Sequence, residues 1–225
     1  MDFRMDWDEK RLVSLDNQND YYFCKSLVID LFYQKTKAKL DLSSFKNLER
    51  LGCDYREVFN LETLQDLISL DLSNYKQESE DLNKLRSLNE LILTRGNLVN
   101  LSFLSSMPKL EKVQLNYLNK LNDINDLKKC KSIKRLDIER CKNISNLEII
   151  LSELNTLKVL KIYNYKFKSL NWVKKIENLE QLILSDSDIL DGDISPAKDI
   201  PYVFIENKRH FNYRFDQESR KIIAK

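Results

Sequence analysis

The sequence predicts an α/β solenoid: a curved parallel sheet of about nine short strands, with short helices or 3-10 turns on its convex side and a cap at each end. Three observations predict it. The stretch Leu88–Asn97, LNELILTRGN, sets Leu88, Leu91 and Leu93 in the spacing L-x-x-L-x-L. That spacing returns along most of the chain, which marks a repeat architecture. Only three Gly and three Pro interrupt the 225 residues, so no flexible linker separates the units. A single domain is expected, with residues 1–25 as N-terminal cap, 26–206 as repeats and 207–225 as C-terminal cap.

Taken in order, Met1–Asn19 lack the repeat and carry Phe3, Trp7, Leu12 and Val13 among charges, as a cap over the open end of a solenoid core requires. The first strand is expected over Ser26–Phe32, where Leu27, Ile29 and Leu31 alternate onto one face. Inward anchors then recur as Leu48, Leu51 and Cys53; Leu67, Leu70 and Leu72; Leu88, Leu91 and Leu93; and Leu110, Val113 and Leu115. They continue as Ile133, Leu136 and Ile138; Leu157, Leu160 and Ile162; Leu179, Leu182 and Leu184; and Ile200, Val203 and Ile205. First anchors lie 19, 21, 22, 23, 24, 22 and 21 residues apart. Between strands, segments such as Glu80–Leu88 place Leu82, Leu85 and Leu88 at helical spacing, to pack onto the sheet from its convex side. The longest such helix is expected near Ser145–Leu154. After Ile205, the alternation of Phe211, Tyr213 and Phe215 predicts a terminal strand that closes the core, with a short helix around Gln217–Ile223.

This spacing resembles that of the leucine-rich repeat family, whose fold the resemblance implies for about Leu27–Phe215. One departure stands out. Two intervening residues after the last strand anchor, the family places an Asn whose amide satisfies loop backbone groups. Here those positions hold Tyr75, Gly96, Leu118, Cys141, Tyr165 and Ser187. A regular asparagine ladder is therefore not expected, although Asn74, Asn97, Asn119 and Asn164 lie one residue to either side.

Enzymatic motifs are missing from the sequence. There is no glycine-rich phosphate loop, G-x-S-x-G elbow, H-E-x-x-H or Ca²⁺ loop, and the single His210 has no partner at recognisable spacing. Asp186, Asp188, Asp191 and Asp193 cluster around Gly192 without the terminal Glu of a calcium loop, so a solvated acidic turn is expected rather than a metal site. Cys24, Cys53, Cys130 and Cys141 form no C-x-x-C pair and read as reduced core residues. No cofactor is implied. The N-terminus shows no signal-peptide pattern and no apolar run reaches membrane-span length, which predicts a cytoplasmic protein.

Strand residues flanking the inward anchors face out from the concave side. The charged ones are Asp30, Asp54, Asp71, Glu90, Asp137, Glu139 and Glu206 against Arg50, Lys112, Arg135 and Lys161, a formal charge of −3. An acidic face argues against nucleic acid, whose binding needs Lys and Arg along the contact, and for a protein partner with a basic surface. The residues expected to bind it are Asp54, Asp71, Glu90, Ile92, Asp137, Glu139, Lys161, Tyr163, Ile183, Tyr202, Phe204 and Glu206, with Tyr163, Tyr202 and Phe204 as aromatic anchors. The expectation is a monomeric, non-enzymatic binding module with no membrane contact. The C-terminal stretch YVFIENKRHFNYRF is similar to the end of short bacterial leucine-rich repeat proteins. That resemblance implies an immunity protein that occludes a cognate toxin. The alternative is a secreted effector or adhesion protein that binds a host protein.

Overall fold

Alternation of side chains along a strand turns the L-x-x-L-x-L anchors to one face, and stacking successive repeats makes those anchors a continuous core. The computed structural model describes residues 10–31, 38–76 and 80–225; Phe3, Trp7 and Phe32 of the sequence reading lie outside them. Among the described residues, ten strands form one parallel sheet in sequence order: β1 (Lys10–Leu12), β2 (Ser26–Ile29), β3 (Arg50–Asp54), β4 (Ser69–Ser73), β5 (Glu90–Thr94), β6 (Lys112–Asn116), β7 (Arg135–Glu139), β8 (Val159–Tyr163), β9 (Gln181–Ser185) and β10 (Tyr202–Ile205). The register places Leu27, Leu51, Leu70, Leu91, Val113, Leu136, Leu160, Leu182 and Val203 opposite one another in series. All are buried. This is the leucine-rich repeat solenoid.

Two ends depart from expectation. Within the predicted N-terminal cap, Lys10–Leu12 pairs in parallel with β2 and adds a tenth strand, because Leu12 opposite Ile29 supplies one further fully buried inward side chain. At the other end, the helix expected around Gln217–Ile223 is a strand. Tyr213–Asp216 (β11) and Lys221–Ala224 (β12) pair antiparallel. The Asp216 carboxylate accepts from the Ser219 amide and hydroxyl, which fixes the turn, and Arg220 at φ 54° completes it. Phe211, Phe215 and Ile222 are buried over the last repeat.

On the convex side the connections are mostly single 3-10 turns, among them Asp81–Lys84, Ser102–Ser106, Asn125–Lys129 and Asn171–Lys175. The α-helix Leu147–Leu151 lies inside the predicted Ser145–Leu154, in the longest of the repeats. Leu82, Leu104, Leu127, Ile150 and Val173 from these segments are buried against the sheet.

Past β4 to β9 the chain turns sharply. Asn74, Arg95, Tyr117, Arg140, Asn164 and Asp186, each two residues after an inward anchor, all have φ between 50° and 61°. In that conformation the amides of Asn74, Arg95, Tyr117, Arg140 and Asn164 donate to carbonyls of the following repeat, Thr94, Asn116, Glu139, Tyr163 and Ser185, at 2.8–3.3 Å. This backbone ladder takes the place of the family's asparagine ladder. The side chains help where they carry a hydrogen: Cys141 Sγ donates to Leu115 O and Ser187 Oγ to Ile162 O, both at 3.5 Å and both reaching the preceding repeat.

Candidate protein-binding face

The concave face is floored by three rows of side chains held at β-sheet spacing, and pairing within the face decides which of them are available. Three of its seven acids are matched. Arg11 of β1 reaches Asp30. Arg56 clamps Asp54 with Nε and Nη2 at 3.0 and 2.6 Å, and Asn74 Nδ2 adds a bond of 2.7 Å. Burial raises the Asp54 carboxyl, but these donors outweigh it and hold the group below the usual range. On β7, Arg135 grips Asp137 bidentately at 3.1 and 2.6 Å. Arg11 extends the central row onto β1 and Arg56 stands outside the rows; counting both moves the face from −3 to −1.

Lys161 lies in register with Asp137 and is buried. Desolvation and the Arg135 charge push its ammonium pKa down, against the pull of Asp137. Beside it, burial first, then Asp137 and Glu139, raise the Tyr163 phenol, so it stays a neutral donor. Glu139 is itself the partner of the Tyr117 hydroxyl. The centre of the face is thus a rigid charged lattice rather than a field of loose carboxylates.

Asp71 is different. It stands mid-row between Gly52 and Ile92, half-buried, and has no hydrogen-bond or ion-pair partner among the described residues. Burial, with Glu90 nearby, raises its carboxyl to about 6. Glu90 accepts from Ser69 Oγ at 3.3 Å. Ile92 and Ile183 are half-exposed in the same central row. At the C-terminal end, the two predicted aromatics of β10 are engaged by the hairpin: Phe204 packs edge-on to Phe215 at 5.4 Å, and the Arg220 guanidinium lies 5.4 Å over Tyr202. Glu206 accepts from Ser185 Oγ at 3.1 Å.

Three of the four aspartates around Gly192 serve separate structural roles. Asp188 pairs with Lys208, Asp191 accepts from the Asp193 amide, and Asp193 accepts from Ser195 N and Asn212 Nδ2. No group of three or more His, Cys, Asp or Glu suited to a metal converges among the described residues. All four cysteines are buried and free, and burial pushes Cys130 and Cys141 up to about 11. No helix among the described residues is long and apolar enough to cross a membrane. Sequence reasoning missed Arg11 and Arg56, and it missed a cavity beyond the strand ends lined by Lys142, Lys166 and Lys208. The recurrence of Lys at one position of successive repeats was the available signal for the last.

No model of a known protein family matches the sequence, and no curated protein matches it. Solved structures share the fold. A leucine-rich repeat protein of Leptospira interrogans is similar with a TM-score of 0.58 and 22% identity, over 87% of this chain and 58% of that one. The functional domain of InlJ from Listeria monocytogenes gives 0.51 and 16%, over 88% and 49%. The mouse RP105/MD-1 complex gives 0.59 and 19%, over 79% and 33%. This chain spans less than two thirds of the length of each of these.

Proposed function

We propose that the protein is a non-enzymatic module that holds a protein partner on the concave face of its sheet, and that the partner is a toxin domain which it occludes, in the manner of a cytoplasmic bacterial immunity protein. The observation that carries the binding role is the central row: Asp71, Ile92 and Ile183 stand on a preorganised sheet, half-exposed, between acids already matched within the molecule. Apolar side chains on a rigid face supply affinity, and an unmatched carboxylate selects a basic group. The Leptospira protein and the mouse complex, the latter named as a complex of two proteins, carry the same fold and are consistent with such a use. Charge on the partner follows from Asp71, whose carboxylate feels burial and the neighbouring Glu90 but no cation. The toxin identity rests on the likeness of the C-terminal stretch.

The test uses a partner captured from the native cell. Reversing both charges, Asp71→Lys with Glu90→Lys, lowers the association rate and flattens its salt dependence, because steering charges act on encounter. Equal rates for parent and variant across a salt series remove these acids from the mechanism. A partner without toxic activity removes the immunity role and leaves the binding role standing.

A further inference from the structure

The two rims of the sheet treat lysine differently. Where strands begin, lysines meet glutamates of the neighbouring repeat: Lys25 with Glu49, Lys134 with Glu111 and Lys158 with Glu180, each at 2.7 Å. Where strands end, two lysines are left out of such matching. Lys142 and Lys166 each lie four residues after the last inward anchor of adjacent repeats, Ile138 and Ile162, and neither has an ion-pair partner among the described residues. Both line one cavity of about 400 Å³, within the range of small-molecule sites.

The walls of this cavity come from three turns. Asn164 and Tyr165 lie between the two lysines in sequence, and Lys166 pairs in parallel with Asp188 in a short two-stranded ladder, Lys166–Phe167 with Asp188–Ile189. From beyond β10 the chain returns Lys208 to within 3.1 Å of Asp188, with His210 Nε2 at 3.5 Å from the same carboxylate. Asp188 is therefore matched, and Asp186 is the one other acid of the lining, so three lysines face two aspartates. Equivalent positions of adjacent repeats holding like charges repel each other. A bound anion relieves that repulsion.

We propose that this cavity binds a phosphate group, with its oxygens held between the Lys142 and Lys166 ammonium groups. Each ammonium is a point charge with three rotatable donors, and the two together match the −1.5 to −2 charge and three acceptor oxygens typical of a phosphate monoester at neutral pH, about twice the charge of a carboxylate. The Asn164 side-chain amide, which makes no hydrogen bond among the described residues, adds a neutral donor.

The experiment is an amide NMR titration of the full chain with inorganic phosphate, O-phosphoserine, glutarate and sodium chloride at matched ionic strength. Saturable shifts of Asn164, Tyr165 and Lys166 are expected for both phosphates, half-complete at or below about 1 mM. Tighter binding of phosphoserine identifies an ester as the ligand, and tighter binding of inorganic phosphate identifies the free ion. The double variant Lys142→Gln with Lys166→Gln weakens either by roughly tenfold or more without lowering the melting temperature. Shifts that follow ionic strength alone, glutarate binding as tight as phosphate, or undiminished affinity in the double variant overturns the proposal.

Discussion

At the scale of single residues, the strongest statements concern side chains whose surroundings oppose their chemistry. Asp71 is a carboxyl raised to about 6 chiefly by burial. Its folded-state value lies above its unfolded one, so the folded protein binds the extra proton, and stability falls as pH rises from about 4 through about 6. Asp71→Asn removes that penalty: urea unfolding should show the variant equal to the parent near pH 4 and more stable by the order of 1–2 kcal/mol at pH 7.5. An equal difference at both pH values would mean that Asp71 does not titrate in this window. Gly96 is constrained by space and by backbone. At φ 110° an added Cβ would come 2.5 Å from Tyr75 O, so Gly96→Ala should cost about 1–3 kcal/mol. An unchanged unfolding midpoint would show that this turn adjusts freely.

At the scale of elements, the hairpin of β11 and β12 is the piece that closes the solenoid. It sets Phe215 against Phe204 and buries Phe211 and Ile222, so deleting Phe211–Lys225 bares the last repeat and its sheet edge to water. Size-exclusion chromatography should show aggregation of the truncated chain; a monomer with unchanged melting contradicts the capping role. The strands of the repeats were legible because Leu88, Leu91 and Leu93 and their equivalents write burial directly into spacing. β1 was not, since three residues with a single inward Leu12 carry no period. The left-handed turns were hidden as well. Asn74, Asn164 and Asp186 are types that tolerate that conformation, whereas Arg95, Tyr117 and Arg140 are not, and the backbone bond each makes to the next repeat is a tertiary fact. The face itself was readable as three rows, but its pairing was not, because Arg56 reaches Asp54 from outside those rows and Arg11 reaches Asp30 from β1, the strand that spacing did not reveal.

For the whole molecule, ten parallel strands make one continuous sheet on which three of the seven acids of the concave face are matched by arginines, so the proposed binding would draw on the side chains left half-exposed along the central row. Convex side chains such as Ile149, 64% exposed on the α-helix, offer the natural control. The most direct measurement compares the affinity of the captured protein partner for Ile92→Arg, on the concave face, and Ile149→Arg, on the convex one, after both variants are shown to melt like the parent. Concave binding predicts that Ile92→Arg weakens the complex by roughly tenfold or more while Ile149→Arg leaves it unchanged. The reverse pattern, loss with Ile149→Arg and none with Ile92→Arg, contradicts binding on the concave face.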